Sequence, residues 1–392
     1  MINFAETVEN RFKELFNEQP VIVRSPGRAN LIGEHTDYNL GFVLPCAIDK
    51  AIYFAVSPRQ DNYCKFYALN MDESFETSID HLTRSEKGWP NYLMGVLDQL
   101  NNTGCKLTGF NCVFGGDIPV GAGLASSAAL EAGLAFTLNH IFDLHIDKLS
   151  LVKLAQRAEN EFVGLQCGIM DQFINIFGES GTVLRIDCRS LEYRYFPFDF
   201  DDVSIVLFNS NVSHSLASSQ YNQRRKECSE GVNHIKNYDN HVQSLRDVSV
   251  DMLNGFKSTL NATVYRRCRY VIEENDRLVQ ACNALEKKDL TTFGRLMVQT
   301  HDCLSRDYEV SCKELDYLVD LVRDHPQVYG SRMMGGGFGG CTINLVEPGS
   351  VDDVGKMVGE KYSKKFGIET TMYATSIGSG TSIIGVNENA KV

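Results

Sequence analysis

The feature that most limits the fold of this chain is a glycine-bearing segment, residues 117–130, between a strand-like run and a helix-like run. Such a loop directs free backbone N–H groups and the positive end of a helix dipole toward one point, which favours phosphate. It lacks the Gly-Lys-Ser/Thr ending of a Walker A loop, and Ser126 stands where a dinucleotide fingerprint needs its third glycine. The sequence indicates another phosphate cradle, in which Ser126 and Ser127 either cap the helix or contact a phosphate or magnesium ion.

A second segment, residues 25–38, crowds polar side chains together directly after an apolar strand. Within ten residues it contains Arg28, Glu34, His35 and Asp37. Ionised carboxylates only accept hydrogen bonds, whereas imidazole and guanidinium donate them, so the set can bind neighbouring hydroxyls of a sugar. The alternative is a solvated turn, in which Arg28 pairs with Glu34 or Asp37 at the surface.

The third unusual segment, residues 335–340, has five glycines in six positions. It matches the spacing of a dinucleotide fingerprint, but the residues from Cys341 onward read as a strand rather than a helix, so that interpretation fails. A backbone this flexible is costly for a simple turn. We expect it to approach either a ligand or the other glycine loop closely.

Two acids are candidates for catalysis or metal binding. Asp171 lies in residues 164–173, an otherwise uncharged and largely apolar stretch, where a carboxylate needs a partner or a role. Alternatively, it caps the helical segment 173–177. Glu159 lies opposite the apolar face of a predicted helix or at its edge, either as an exposed charge beside Arg157 or as an oxygen ligand for magnesium.

Composition limits the class of protein. The 392 residues predict two or three domains, and the formal charge of -12 argues against a nucleic-acid partner. Residues 1–20 contain no continuous apolar run, so we expect neither a signal peptide nor a membrane span, and a cytoplasmic location. The 12 cysteines include no C-x-x-C pair, which predicts reduced, mostly buried thiols.

Periodicity predicts a chain of mixed strands and helices. Strand-like runs occupy residues 21–24, 51–56, 110–114, 203–208 and 342–346. Helix-like runs occupy residues 126–141, 149–162 and 264–285. No repeat or long linker marks a boundary, and a second series of elements begins near residue 203. We therefore divide the chain into residues 1–200 and 201–392.

The three unusual segments resemble the motifs of one family, in the family's order. The run G-R-A-N-L-I-G-E-H-T-D-Y resembles the signature of galactokinases throughout its length. The runs P-V-G-A-G-L-A-S-S-A and G-G-G-F-G-G resemble the second and third motifs of the wider group of GHMP kinases. The resemblance implies an α+β fold of two domains, ribosomal S5 domain 2-like and ferredoxin-like, with the active site between them. It also implies transfer of the γ-phosphoryl group of Mg-ATP to the anomeric hydroxyl of galactose, as in the Leloir pathway.

The resemblance assigns roles residue by residue. It implies that Asp171 is the catalytic aspartate and that Arg28 lies beside the reacting hydroxyl. Galactose-contacting positions are Arg28, Glu34, His35, Asp37, Gly168, Asp171 and Tyr221. The positions implied to contact the nucleotide base are Trp89 and Tyr92, although the two can instead be an ordinary, partly buried aromatic pair. The positions implied to contact the phosphates are Gly121, Ala122, Gly123, Leu124, Ala125, Ser126 and Ser127. Magnesium ligands are Ser127 and Glu159.

The sequence departs from the galactokinase pattern at one position, and several alternative functions remain open. Ser213 stands where several galactokinases carry a basic residue, so a supplementary cation near the phosphates is missing or comes from elsewhere. The rivals are a kinase for N-acetylgalactosamine or arabinose, a non-catalytic sugar sensor, and a nicotinamide-dependent oxidoreductase. Intact Ser126, Ser127, Ala128 and Asp171 favour catalysis. We expect a monomer with no nucleic-acid or membrane partner.

Overall fold

The computed structural model describes residues 3–119, 121–213 and 217–385. The helices are α1 (Phe4–Phe16), α2 (Pro90–Asn102), α3 (Ser126–Ile141), α4 (Lys148–Arg157), α5 (Met170–Phe177), α6 (Ala217–Lys236), α7 (Val250–Gly255), α8 (Ala262–Glu286), α9 (Leu290–Cys303), α10 (Lys313–Val322) and α11 (Val351–Phe366). The strands are β1 (Val21–Asn30), β2 (Phe42–Val43), β3 (Pro45–Pro58), β4 (Tyr63–Ala68), β5 (Glu73–Ser78), β6 (Phe110–Gly116), β7 (Thr182–Asp187), β8 (Tyr193–Pro197), β9 (Ser204–Ser213), β10 (Val328–Met333), β11 (Gly339–Val346), β12 (Thr371–Thr375) and β13 (Ser382–Ile384). The mixture confirms the prediction of an α+β fold.

The first sheet has the strand order β13-β1-β3-β6-β4-β5, and β2, β7 and β8 form a small sheet beside it. Its central strands are rich in β-branched and aromatic residues, which fit a pleated, buried surface. Helix α3 packs against β1 and β3, and it carries Gly133 where a side chain would overlap Phe54 and Ser25. This close approach packs the middle of α3 against the middle of β1.

A register shift between Pro26 and Arg28 interrupts the pairing of β1 with β3. Bulges of this kind bend a strand and re-aim its side chains. Gly27 lies at the shift, where an added Cβ would be 2.9 Å from the carbonyl oxygen of Leu124. The Arg28 N–H donates to the same oxygen over 3.1 Å, so the bulge holds Arg28 against the glycine loop.

The second sheet has the strand order β10-β11-β9-β12 and has helices on both faces. Side chains alternate between the two faces along a strand. In β9, Val206 and Phe208 pack in a core with residues of α10 and α11, whereas Leu207 belongs to the core that contains residues of α9. The sheet is therefore covered on both faces, and all eight residues of β11 are buried.

The chain passes from the first group of sheets to the second between Pro197 and Ser204. The boundary that we predicted near residue 200 falls in this connection and stays a prediction. Strand β13, which we placed in the C-terminal part, pairs instead with β1 of the first sheet. A strand of three residues has too little hydrophobic periodicity to be predicted from the sequence. The return of the chain to the first sheet is stabilised by Arg24, which donates to the carbonyl oxygen of Ser379 over 2.9 Å.

The predicted elements lie within the observed ones, with one informative difference. The predicted helix 126–141 coincides with α3, and each predicted strand overlaps an observed strand. The predicted helix 149–162 is α-helical only as far as Arg157, after which Ala158–Val163 form a π-helical turn. Such turns occur frequently at functional sites because they rotate the following side chains.

Two observations concern the class of protein. Among the described residues, no helix combines the length and the apolar character needed to cross a membrane. All 12 cysteines lie in the described ranges as unpaired thiols, and most of them are buried.

Candidate active site

A cavity of about 590 Å³ opens between the signature residues, the start of α3 and the third glycine segment. It is lined by Arg28, Glu34, His35, Asp37, Tyr92, Gly121, Gly123, Leu124, Ala125, Ser126, Ser127, Glu159, Leu165, Cys167, Gly168, Met170, Asp171, Tyr221, Gly335, Gly336 and Gly337. Residues far apart in the chain thus meet in one place. Every residue that we assigned to sugar or metal lies in this wall.

Arg28 and Asp171 form a bidentate ion pair in the wall of the cavity. Arg28 Nε lies 2.8 Å from Asp171 Oδ1 and Nη2 lies 3.0 Å from Oδ2. Burial opposes the charge of Arg28, but Asp171 and Glu34 together raise its pKa above the usual value. Arg28 Nη1 also donates to the carbonyl oxygen of Gly123. The pair therefore connects a fixed carboxylate to the glycine loop.

The two purely structural interpretations of these residues, a solvated turn for Arg28 and a helix cap for Asp171, are wrong. Arg28 is 5% exposed and pairs with neither Glu34 nor Asp37, so the signature is not a solvated turn. Asp171 does not cap α5, because the N-cap residue is Ile169 and Asp171 lies in the first turn.

The glycine loop leaves the start of α3 open toward the cavity. Its N-cap residue is Ala125 with φ of 58°, and no side chain among the described residues caps the helix. The alternative that Ser126 and Ser127 serve only as caps is therefore wrong. First-turn N–H groups without an intrahelical partner bind anions readily.

The third unusual segment, residues 335–340, lies against the glycine loop. We had expected it to approach either a ligand or this loop. A Cβ added to Gly335 would be 3.4 Å from the carbonyl oxygen of Gly123. Gly335 itself has φ of 81°, which favours glycine. The two segments therefore close one end of the cavity with backbone alone.

Glu159 is buried in the cavity wall rather than exposed beside Arg157. It is 3% exposed, and it accepts a hydrogen bond from Gln172 Nε2 over 2.8 Å. The π-helical turn accounts for the difference from a regular helix, which would have placed this residue opposite the apolar face or at its edge. Burial raises the pKa of Glu159, although a hydrogen bond from Ser127 opposes that shift.

The signature loop is held by residues of the second half of the chain. Arg332 is fully buried in β10 and donates to Glu34 Oε2 over 2.8 Å and to the carbonyl oxygen of Leu31 over 2.8 Å. From α8, Tyr270 donates to the carbonyl oxygen of Glu34 and Glu274 accepts from the N–H of Gly33. Burial raises the pKa of Glu34, but Arg332 and Arg28 outweigh it and hold that pKa below the usual value.

Asp37 and Gly168 fit together with no space between them. A Cβ added to Gly168 would lie 1.8 Å from Asp37 Oδ2, so only glycine is compatible with this carboxylate position. Burial raises the pKa of Asp37 to about 7, and repulsion by Asp171 adds to the shift.

His35 and Tyr221 form an aromatic wall. Their ring centroids are 5.5 Å apart, and the His35 backbone has φ of 61°. Burial lowers the pKa of His35 to about 4, so the imidazole is neutral at pH 7. An apolar ring face beside neutral and charged polar groups is suited to a sugar, which has both kinds of surface.

We predict that Gly168→Ala weakens binding of galactose, the sugar that the resemblance implies, by about 100-fold, because the added methyl group must displace the Asp37 carboxylate. Titration of galactose by calorimetry measures the effect. Gly255→Ala is the matched control, since among the described residues nothing lies within 4 Å of its added Cβ. Equal affinity of Gly168→Ala and the parent would show that Asp37 does not contact the sugar.

Sequence comparison identifies the family. The galactokinase galactose-binding signature matches residues 10–58, the GHMP kinase N-terminal domain matches residues 91–179, and the GHMP kinase C-terminal domain matches residues 281–364. Galactokinase from Roseiflexus sp. is 43% identical over 98% of both chains. Galactokinase from Clostridium perfringens is 41% identical over 95% of this chain and 98% of its own.

The chain belongs to the galactokinase family. Among solved structures, Lactococcus lactis galactokinase in complex with galactose superimposes with a TM-score of 0.92 at 35% identity, covering 96% of this chain and 99% of its own. The mevalonate kinase of Methanococcus jannaschii superimposes with a TM-score of 0.64 at 18% identity, over 92% of this chain and 98% of its own, which shows a shared fold. The predicted two-domain GHMP kinase fold is confirmed.

Two positions implied by the resemblance to galactokinases do not line the cavity. Trp89 packs its ring against Phe75 and Phe114 in the core, and its indole N–H donates to Glu73 over 3.1 Å. The only tryptophan is thus a core residue at the start of α2, whereas Tyr92, one turn later, lies in the cavity wall. Ala122, within the glycine loop, is fully buried. The side chain of Ser213 lies outside the described residues.

Proposed function

We propose that this member of the galactokinase family transfers the γ-phosphoryl group of ATP to the anomeric hydroxyl of α-D-galactose, giving α-D-galactose 1-phosphate and ADP. The observation that supports this most strongly is the Arg28–Asp171 pair, which stands between the sugar signature and the open start of α3. A base in that position faces an acceptor hydroxyl on one side and a phosphate on the other.

The signature residues provide complementary partners for a sugar. Glu34 is held ionised by Arg332 and Arg28 and accepts hydrogen bonds. Neutral His35 has one donor and one acceptor nitrogen, and Tyr221 offers a ring face beside it. Gly168 leaves room for the Asp37 carboxylate to reach the same space.

In the proposed reaction, Asp171 accepts the proton of the anomeric hydroxyl while that oxygen attacks the γ-phosphorus, and the bond to ADP breaks. General-base assistance of this kind is worth about 100- to 10,000-fold. Arg28 holds the Asp171 carboxylate in place and stabilises negative charge near the attacking oxygen. The N–H groups at the start of α3 bind phosphate oxygens, so positioning and charge stabilisation supply most of the acceleration.

Ser127 and Glu159 fit a magnesium ion. Their side chains contact each other in the cavity wall and offer one hydroxyl and one carboxylate oxygen, the ligand type that magnesium prefers. Because two side chains supply only part of its coordination, an ion held there would take its remaining ligands from phosphate oxygens and water. When bound there, magnesium neutralises charge on the phosphates of ATP.

We predict that galactose binds about tenfold more tightly at pH 8 than at pH 6. Asp37, with its pKa raised to about 7, is protonated at the lower pH and loses its role as an acceptor-only group. A sugar hydroxyl that donates to the carboxylate favours ionisation, so binding releases a proton and strengthens as pH rises through 7. Affinity measured across this range checks it, and Asp37→Asn should give a flat profile. Tighter binding at pH 6 would mean that protonated Asp37 donates to the sugar.

The proposed function is tested by ADP release with Mg-ATP and six acceptors: galactose, N-acetylgalactosamine, arabinose, glucose, mevalonate and homoserine. Release with galactose alone supports the proposal. Preference for another acceptor would retain the fold and the phosphoryl transfer but change the substrate. Galactose binding without ADP release would identify a sugar sensor.

A further inference from the structure

Helix α5, which carries Asp171, contacts strand β1, which carries Arg28, at two points one helical turn apart. The first contact is the ion pair in the wall of the cavity. The second is made by Asn175, whose Nδ2 donates to the carbonyl oxygen of Pro26 over 2.6 Å. Residues four apart lie on the same face of a helix, so both contacts attach one face of α5 to β1. The register shift at Gly27 lies between them.

Asn175 uses its whole amide group in these contacts. The residue is 2% exposed, and Nδ2 also donates to the hydroxyl of Ser25 over 3.0 Å. Its Oδ1 accepts from the Thr381 hydroxyl over 2.6 Å. The orientation of the amide is fixed, because the opposite orientation would place Oδ1 against the carbonyl oxygen of Pro26, which can only accept.

The partners of Asn175 connect further elements to the same point. The hydroxyl of Ser25 donates over 2.7 Å to the carbonyl oxygen of Ala129 in α3, the helix that begins at the glycine loop. Thr381 directly precedes β13, and its backbone N–H donates to the carbonyl oxygen of Asn175 over 2.7 Å. A Cβ added to Gly380 would lie 3.0 Å from that oxygen, so the chain passes close to α5 here. Strand β1, helices α3 and α5, and the segment before β13 therefore meet at Asn175.

The apolar residues of α5 do less to fix its position along β1. They pack in one cluster with residues of β3, α3 and α4, and they are Met170, Phe173, Ile174 and Ile176. Apolar packing has no preferred direction, whereas a hydrogen bond requires a specific distance and angle. The bidentate pair of Arg28 and Asp171 also requires both carboxylate oxygens in line with the guanidinium. A directional contact one turn away is therefore suited to setting the position of Asp171.

We propose that Asn175 is a positioning residue for phosphoryl transfer. It fixes α5 against the bulge of β1, and so holds Asp171 at hydrogen-bonding distance from Arg28. Thr381 acts through Asn175 by fixing the orientation of its amide. A catalytic pair must be held to within about 0.5 Å, which buried hydrogen bonds from supporting residues provide. The role of the pair in the reaction rests on the proposed function, whereas its geometry is a property of the free protein.

The geometry is tested by crystal structures of the parent and of Asn175→Ala, both without ligand. The shortened side chain leaves the Pro26 carbonyl oxygen without its donor. We expect Asp171 to lose at least one of its two hydrogen bonds to Arg28. If both bonds persist at the parent distances, the proposal is overturned, whatever the enzyme does with galactose.

Asn175→Ala is also expected to lower kcat for ADP release by about 10- to 100-fold, the effect of a small displacement of a reacting group. Affinities for galactose and Mg-ATP should stay within a few-fold of the parent, because Asn175 does not line the cavity. In the Asp171→Asn background, the same change should lower the residual kcat by less than about twofold, since residues that act through one another are not additive. An equal loss in both backgrounds would contradict the proposal.

A milder pair of variants covers the case in which Asn175→Ala does not fold. Thr381→Val keeps the shape of the side chain but removes the hydroxyl that donates to Asn175. We expect kcat to fall about three- to tenfold, comparable to the loss of one hydrogen bond. Thr381→Ser keeps the hydroxyl and should retain kcat within about twofold. Equal values of kcat in the two variants would mean that the hydroxyl does not act on the reaction.

Asn344→Ala is the matched control. Asn344 is also fully buried, donates to the carbonyl oxygen of Val206 over 3.0 Å, and accepts from the hydroxyl of Ser331 over 2.6 Å. It lies in β11, outside the wall of the cavity, so this variant should lose stability but keep kcat within about twofold. A matching fall of kcat in Asn344→Ala would attribute the effect of Asn175→Ala to general damage. A parent that releases no ADP with galactose would contradict only the proposed function, because the crystal structures still decide the geometry.

Discussion

Replacing Asp171 by Asn is expected to lower kcat by about 100- to 10,000-fold while galactose affinity changes only a few-fold. Asn keeps the size of the side chain and a carbonyl oxygen for Arg28, but it cannot take a proton. The loss should therefore appear in turnover rather than in binding. Steady-state ADP release together with calorimetric binding of galactose separates the two effects.

Asp187→Asn is the control for this experiment. Asp187 also pairs with an arginine, Arg246, at 3.3 Å, but it lies outside the wall of the active-site cavity. Its replacement should leave kcat within about twofold of the parent, as expected for a partly exposed ion pair. Near-normal turnover in Asp171→Asn would remove this carboxylate from the role of base.

Arg332→Met is expected to lower the free energy of unfolding by about 3–5 kcal/mol, because it leaves Glu34 buried beside the apolar core without its partner. The same change should also raise the KM for galactose, since Arg332 orients the Glu34 carboxylate. Urea unfolding monitored by circular dichroism measures the first effect, and ADP release measures the second.

Two further variants distinguish loss of the ion pair from general damage. Arg194→Met breaks an exposed pair with Glu286 and should cost less than about 1 kcal/mol. Combining Arg332→Met with Glu34→Gln removes the uncompensated charge, so it should recover part of the stability without restoring galactose affinity. If the double variant is no more stable than Arg332→Met, the contacts of Arg332 with backbone carbonyls outweigh the ion pair.

The sequence predicted best those parts of the site whose residues all lie in one short segment. The start of α3 and the crowding of Arg28, Glu34, His35 and Asp37 were visible as local departures from simple folding patterns. That these residues meet Asp171 followed from the resemblance, and the structure shows how a bulge at Gly27 makes the meeting possible.

Long-range partners were not predictable in the same way. Arg332 sits in an ordinary strand pattern, and nothing near it in sequence indicates that its guanidinium would reach Glu34. Glu159 was placed opposite the apolar face of a regular helix or at its edge, because a π-helical turn leaves no clear trace in hydrophobic spacing. Trp89 was assigned to the nucleotide base from the resemblance to galactokinases. Its indole N–H donates instead to Glu73 of β5, a partner that the sequence around Trp89 does not indicate.

The central claim, phosphoryl transfer to the anomeric oxygen of galactose, is tested most directly by phosphorus NMR of the reaction products. The full chain is incubated with Mg-ATP and galactose, and the new phosphate signal is assigned through its coupling to sugar protons. We predict one product, α-galactose 1-phosphate, formed in equal amount with ADP and coupled to the anomeric proton. A phosphate on another carbon, or ADP formed without any sugar phosphate, would contradict the claim.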